Sequence, residues 1–340
     1  MDILFSIVMP TRNRLEILKY TLSLLKEQVI RNKDSVELII CNNASSDGTK
    51  DYLENLLNEE KFFKLVNYTD SVDIGVSITR SIENATGNYF LLWSDDDIPG
   101  PYMVDILMDS LNRHPDVECI TFNRIQGYAG QTDKLFKKCR LLDTEYPELE
   151  TVYDSSEEFI LERWRGMTFL SADLVSVNAW KRGLSIYSKE HFGWEFLTPI
   201  LYGINGKKCL FINYPMCIQR WLYKPTYRIN WPSYIYVGIP RMLKCLEEKE
   251  VIHEWRKTYD NYLSKGQFNT STMGYMFDIL YWASQDISRY RPLIKEMSSV
   301  QTSIIKRGIT YLLYLPECVH KFNRAIIKTA FKLVGKEKSI

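Results

Sequence analysis

Tyr89-Phe90-Leu91-Leu92-Trp93-Ser94-Asp95-Asp96-Asp97 joins an unbroken apolar run to three consecutive carboxylates. Five apolar residues in a row read as a strand buried on both faces, which places Ser94 and the acids in the loop at its C-terminal end. Like charges gathered there are unfavourable unless hydrogen bonds or a cation compensate them. Hard oxygen ligands of this kind suit Mg2+ or Mn2+, and a solvated acidic turn is the plain alternative. The triplet alone leaves both readings open.

Upstream, strand-like and helix-like segments alternate. Phe5–Met9 is an apolar strand that runs into Pro10-Thr11-Arg12-Asn13-Arg14, and Leu15–Val29 carries apolar residues at 15, 18, 22, 25 and 29, a helical spacing. Val36–Cys41 is a second strand, followed by a turn at Ser45-Ser46-Asp47-Gly48 and a helix over Tyr52–Leu57. Phe63–Asn67 reads as a strand, Val76–Ala85 as a helix, Met103–Leu111 as another helix and Glu118–Asn123 as a fifth strand. Alternation of this kind predicts an α/β domain with a mostly parallel sheet flanked by helices. Ligands of open α/β sheets bind at the C-terminal ends of the strands, where Thr11–Arg14, Asn42-Asn43 and Asp95–Asp97 all fall.

Residues 126–165 are more polar and irregular, and are expected to face an acceptor or to flex. Short strand-like pieces return from Gly166 to Trp231, and beyond Pro240 the pattern is helical, over Arg241–Glu250, Trp255–Leu263, Tyr275–Ser288 and the tail. The expected division is a domain at 1–235, with halves at 1–125 and 126–235, and a helical region at 236–340.

Net charge is +1 over 340 residues, but from Val300 onward eight Lys/Arg face two Glu. Seven scattered cysteines without CxxC spacing argue against a zinc site or disulfide framework and for a reducing compartment. No uncharged apolar stretch approaches the length of a membrane span, and the chain starts straight into a strand-like run without a cleavable leader, so a cytoplasmic protein is expected.

Three segments carry a resemblance. Ser6-Ile7-Val8-Met9-Pro10-Thr11-Arg12-Asn13-Arg14 is similar to the S-V-I-I-P-T-Y-N-R opening of family 2 glycosyltransferases. Glu37-Leu38-Ile39-Ile40-Cys41-Asn42-Asn43-Ala44-Ser45-Ser46-Asp47-Gly48-Thr49 is similar to that family's second strand, and Ala85–Asp97 to the segment that holds its DxD-type metal motif. The DDD form looks closest to the abequosyltransferase-like branch of surface polysaccharide enzymes. The resemblance covers roughly residues 5–225 and implies a GT-A fold, Rossmann-like, with a mixed and mostly parallel sheet.

Carried over residue by residue, the resemblance implies that Pro10, Thr11 and Arg14 line a nucleotide-sugar pocket. Asn42 stands where the family usually has an Asp that accepts from a pyrimidine base. An amide both donates and accepts, so cytidine joins uridine and thymidine as a candidate nucleotide. Asp95 would lie near the ribose and sugar. Asp96 is the expected ligand of Mn2+ or Mg2+, and Asp97 a second ligand or a sugar-hydroxyl acceptor. The metal would neutralise the departing nucleoside diphosphate. Arg80, on the helix after Gly75, is expected near the nucleotide sugar, or else as an exposed helix charge.

An inverting transferase needs a carboxylate to take the acceptor proton. Counting back from Gly206, which precedes Lys207–Ile212, puts Glu195 where the family has its catalytic Asp and Trp194 where it has the preceding Glu. His191 is the rival base. Gln219-Arg220-Trp221 is similar to a Q-x-x-R-W element with altered spacing. Arg220 is a candidate for the diphosphate, and Trp194, Trp221, Tyr223 and Trp231 for the acceptor side, with a packed loop as the alternative.

Val319, Phe322, Ile326, Ala330 and Val334 recur at helical spacing, with Lys321, Arg324, Lys328 and Lys332 opposite. Such a helix suits an anionic membrane surface, contacted through 304–338, or else packs on its own domain. The implied protein is a metal-dependent inverting glycosyltransferase, peripheral on the inner face of the plasma membrane. It would use a nucleotide-sugar donor and a glycan acceptor carried on a polyprenyl diphosphate lipid. A nucleotidyltransferase would show a glycine-rich phosphate loop that Pro10–Arg14 lacks, and a non-catalytic scaffold is the other alternative. Basic residues confined to the tail argue against nucleic acid as a partner.

Overall fold

The computed structural model describes residues 3–128, 140–141, 148–221, 230–265 and 271–333. It divides into two units: Met1–Tyr187 with Glu195–Trp221, and Ser188–Trp194 with Leu222–Ile340. The second unit thus begins before residue 236 and also takes in a short piece containing His191 and Trp194.

The first unit is built on a sheet of ten strands among the described residues: β1 Phe5–Thr11, β2 Val36–Asn42, β3 Lys64–Asn67, β4 Tyr89–Leu92, β5 Ile98–Pro99, β6 Val117–Tyr128, β7 Arg140–Leu141, β8 Glu150–Tyr153, β9 Asp173–Ser176 and β10 Lys208–Trp221. The spatial order is β3-β2-β1-β4-β9-β6-β10-β5, with β7 on β6 and β8 on β10. Strands β3-β2-β1-β4 are parallel, as the alternating pattern requires, and so are β6 and β10. Strand β9 enters antiparallel between β4 and β6, joining the two parallel blocks.

The helices of this unit are α1 Leu15–Arg31, α2 Thr49–Glu59, α3 Ile74–Ile82, α4 Met103–Arg113, α5 Ser156–Met167, α6 Val177–Gly183 and α7 Leu197–Gly203. Leu18, Leu22, Leu25 and Val29 form the buried stripe of α1 and share one core with Ile7, Met9, Leu38, Ile40 and Leu91. Each such side chain contributes about 1.5–3 kcal/mol on burial. Of the stretch at 126–165, expected to be irregular, 129–139 and 142–147 lie outside the described residues; the remainder continues β6 to Tyr128 and holds β7, β8 and most of α5. Between Gly166 and Trp231 the expected strand pieces are mixed with helices α6 and α7.

Two registers position the site. Val8 pairs with Leu92, so three residues further along each chain Thr11 and Asp95 arrive at the same level. Pro10, which has no N–H to donate, is tolerated because β4 has ended at Leu92. Strand β10 shifts register between Ile212 and Cys217, around Pro215, and then pairs antiparallel with β5 through Ile218 and Ile98. That pairing brings Arg220 opposite the acidic loop.

The second unit is helical. Its core contains Tyr236, Ile239, Met242, Leu246, Tyr259, Tyr275, Ile279 and Met297. The buried tyrosines are satisfied: Tyr236 donates to Asp278 at 2.7 Å, Tyr259 to the Ile235 carbonyl at 3.2 Å, and Tyr275 pairs with Thr310 at 2.6 Å.

Candidate active site

The acidic loop is compensated from β1 and α1. Thr11 Oγ1 donates to Asp95 Oδ2 at 2.6 Å, and Arg14 Nη1 donates to Asp95 Oδ1 at 2.8 Å and to Asp96 Oδ2 at 2.9 Å. Arg14 occupies the position just before α1, whose first amide, that of Leu15, donates to Asp47 at 3.1 Å. From the next turns of α1, Thr21 donates to the Asp95 carbonyl at 2.8 Å. Thr11, Arg14, Asp95 and Asp96, four residues singled out from sequence, therefore share one hydrogen-bonded cluster. Burial raises the Asp95 carboxyl above its ordinary range; the Arg14 guanidinium draws it back, and the Asp96 charge adds to the rise.

Asp97 turns the other way. Its Oδ2 accepts from Ser171 Oγ at 2.7 Å and its Oδ1 from the Arg220 amide at 3.2 Å, and it is 2% exposed. Burial, followed by the charge on Asp96, pushes its carboxyl well above the usual carboxylate range, against those two hydrogen bonds. It thus ties the turn Leu170–Ala172, just before β9, to β10, and both carboxylate oxygens expected to serve a metal or a sugar hydroxyl are engaged inside the protein. Ser171 also accepts from the Ser94 amide at 2.8 Å, tying the start of the acidic loop to the same strut.

Asp96 keeps the most accessible carboxylate of the triplet, with its side chain 16% exposed, and is oriented by Ser94 Oγ and Arg14. Among the described residues no three His, Cys, Asp or Glu side chains converge as a metal cage. The donor set nonetheless suits Mg2+ or Mn2+, which bind through one or two carboxylates plus substrate phosphates. Asp96 is the residue that fits this role.

Arg220 is nine-tenths buried, its Nε donates to the Asp96 carbonyl at 2.7 Å, and its guanidinium lies 5.3 Å from the centre of the Tyr20 ring. The described backbone of Trp221 closes β10 against Tyr128, while Tyr223 lies outside the described residues. Trp231 begins a short helical turn at Trp231–Ser233 in the second unit.

Asn42 pairs with Asn67 at the ends of β2 and β3, donating to its Oδ1 at 2.9 Å while accepting from the Ser45 amide at 3.1 Å. Its neighbour Asn43 exchanges two 3.0 Å bonds with the backbone of Val72 and accepts from Arg80 Nη2. Arg80 also donates to the Asp70 carbonyl at 2.9 Å and lies 3.7 Å over the Tyr68 ring. It is a tethered guanidinium rather than the exposed helix charge of the alternative reading, and it bonds to this strand-edge group rather than to the acidic triplet.

Glu195 precedes α7 and is 4% exposed. Its carboxyl lies against Gly75 in the first turn of α3: a Cβ at position 75 would stand 1.7 Å from Glu195 Oε2. Helix α7 is held on α6 at a similarly close approach, since a Cβ on Gly203 would stand 1.9 Å from the Ala179 carbonyl oxygen. Burial, followed by the Glu195 charge, raises the Tyr187 hydroxyl above its ordinary range, placing that ring in the same electrostatic neighbourhood.

The rival base and the acceptor tryptophan belong to the second unit. His191 is 5% exposed, and burial followed by the nearby Arg241 cation lowers its pKa to about 4. Trp194 is buried, and its indole N–H donates to the Tyr234 carbonyl at 2.9 Å. It packs there in place of the expected acceptor platform.

Gly75 and Ser171 stand at the candidate site without having been singled out from sequence. A glycine at the start of an amphipathic helix was the available signal for the first, since glycine in a helix costs stability and needs a reason. Nothing local marks Ser171, whose role depends on the antiparallel entry of β9.

The acid cluster compensated at the C-terminal edge of an α/β sheet lies where ligands of such sheets bind, and the similarities of the chain bear on its class. Residues 6–157 match the family described as Glycosyl transferase family 2. That match covers somewhat less than half of the chain, and the fold around it is the GT-A fold of the solved glycosyltransferase structures below. It is 30% identical over 116 residues to abequosyltransferase RfbV of Salmonella typhimurium, a match covering 34% of each chain, so about a third of that curated relative's length is spanned. Among solved structures it is similar to S. aureus TarS 1-349 in complex with UDP, with TM-score 0.60 and 11% identity over 97% of this chain and 92% of that one. It is also similar to mannosyltransferase PcManGT from Pyrobaculum calidifontis in complex with GDP-Man and Mn2+, with TM-score 0.50 and 12% identity over 96% of this chain and 87% of that one.

Proposed function

We propose that this protein is an inverting, metal-dependent glycosyltransferase. It moves one sugar from a nucleotide-sugar donor to a hydroxyl of a glycan acceptor in bacterial surface polysaccharide synthesis. The observation that carries the reading is the joining of Thr11, Arg14, Asp95 and Asp96 into one compensated cluster at the sheet edge of a family 2 domain. UDP in the similar TarS structure supports a nucleotide-sugar donor.

In this account the acceptor oxygen forms a bond to the anomeric carbon as the bond from that carbon to the diphosphate breaks. Glu195 takes the acceptor proton, and the nucleoside diphosphate leaves with the bonding electrons. Mn2+ or Mg2+, held through Asp96, would supply charge neutralisation to that leaving group. Arg14 holds Asp95 and Asp96 in place through its two short contacts, and Thr11 fixes Asp95 from β1. Glu195 is preferred to His191 as the base because it belongs to the same unit as the acidic cluster, against the first turn of α3, whereas His191 belongs to the helical unit. The Asn42 amide, already engaged by Asn67 and Ser45, retains both donor and acceptor capacity toward a pyrimidine.

The acceptor is proposed to ride on a polyprenyl diphosphate lipid, with the enzyme peripheral on the inner face of the plasma membrane. The excess of eight Lys/Arg over two Glu from Val300 onward supports this, and no helix among the described residues is long and apolar enough to cross a membrane.

A panel of nucleotide sugars with Mn2+ or Mg2+, read by thermal shift and nucleoside diphosphate release, tests the reading. One donor class should stabilise the protein and be consumed. Glu195→Gln should keep the stabilisation and lose the release, whereas no response to any donor would favour a scaffold.

A further inference from the structure

The two C-terminal helices leave large apolar side chains in water instead of packing them. In the helix Glu317–Leu333, the residues turned toward the unit are Val319, His320, Asn323, Arg324 and Ile327. Arg324 donates to the carbonyl and hydroxyl of Ser284, so it lies with the packed side rather than on a basic outer stripe. Phe322 and Ile326, one turn apart on the outer side, are 67% and 53% exposed. The preceding helix, Ile304–Tyr311, buries Thr310 against Tyr275 and leaves Ile304 83% and Ile305 63% exposed.

Exposed single apolar residues are ordinary, but a concentration of this kind on adjoining helices marks an interaction surface. Its polar companions identify the partner. Arg307, Lys321 and Lys328 are exposed among these side chains, and Glu317 is the one acid between Ile304 and Leu333. Apolar side chains rimmed by cations complement an anionic bilayer surface, in which the rings and branched chains enter the headgroup boundary while lysines stay with the lipid phosphates. A second copy of this chain would bring like charges together at the same face.

We propose that Ile304, Ile305, Phe322 and Ile326 form an insertion face by which this protein docks shallowly on anionic lipid. The inference rests on the membrane part of the proposed function and names the side chains that carry it. Within the expected contact at 304–338 it differs from the expected stripe, because Val319 and Arg324 face the unit; Val334 lies outside the described residues.

The full chain is sedimented with vesicles of phosphatidylcholine alone or of phosphatidylcholine mixed with phosphatidylglycerol. Wild type should pellet with the mixed vesicles and not with the neutral ones. Phe322→Ser/Ile326→Ser and Ile304→Ser/Ile305→Ser should each weaken that binding by about tenfold, with the melting temperature held, because these residues are exposed. If wild type binds and the serine variants bind equally well, the insertion face falls while the membrane reading stands. If wild type binds neither vesicle, both fall. A concentration-dependent dimer broken by the same variants would assign the face to a second copy and overturn the proposal.

Discussion

The Glu195 carboxyl rests on the Cα of Gly75: a Cβ built there would stand 1.7 Å from Oε2 and 2.4 Å from Cδ of Glu195. Gly75 lies in the first turn of α3, so the carboxylate meets the positive end of a helix, where negative charge is stabilised. The glycine is what permits the approach. Because the overlapping atoms are the far end of a flexible side chain, Gly75→Ala should displace the Glu195 carboxyl without unfolding the protein. The expected result is a fall in kcat of about 100-fold, the scale set by a misplacement of about 1 Å. The KM for the donor and the melting temperature should stay close to wild type. Steady-state kinetics beside a thermal melt check this, and an unchanged kcat would remove Glu195 from the base position.

Asp96 and Asp97 should separate cleanly on mutation. Asp97 is buried on Ser171 and the Arg220 amide with its ionisation disfavoured, so an amide is a close mimic of its neutral form. Asp97→Asn should change stability by no more than about 1 kcal/mol and leave nucleotide affinity intact. Asp96→Asn should keep the fold and abolish the dependence of nucleotide binding on Mn2+. Urea melts and metal titrations distinguish the two, and a metal effect lost in Asp97→Asn alone would reverse the assignment.

Asp173 gives a pH signature. It is buried on β9, and burial raises its pKa to about 7, against a Thr121 hydrogen bond and the Arg124 charge. A carboxyl whose folded pKa lies above its unfolded value of 3.8 favours the fold fully below that pH. It loses the contribution as pH rises to about 7. The rise of roughly three units corresponds to at most about 4 kcal/mol. Asp173→Asn should therefore make stability flatter than wild type between pH 4 and 7, measured by urea unfolding at several pH values. Parallel curves for the two proteins would contradict the assignment.

The parts legible in the sequence are those fixed by local pattern. Phe5–Thr11, Val36–Asn42 and Tyr89–Leu92 are buried on both faces and read as apolar runs, and their parallel registry carries Thr11 to Asp95. What escaped depends on distant pairing. Strand β9 has four residues and no distinctive pattern, yet its antiparallel entry delivers Ser171 to Asp97. Arg220 reaches the acidic loop only because the ladder slips around Pro215. Trp194 follows Gly193, at φ 81°, into the helical unit, where Tyr234 claims its indole. Neighbours along the chain say nothing about any of these.

The Thr11–Arg14–Asp95–Asp96 edge is proposed to bind the diphosphate end of a nucleotide sugar. Isothermal titration of the full chain with UDP, CDP, dTDP and GDP, with and without Mn2+, tests it most directly. At least one nucleotide should bind, more tightly with Mn2+, and Asp96→Asn should erase the difference that the metal makes. Binding of none of the four, or binding equally tight in Asp96→Asn with Mn2+ present, would contradict the account.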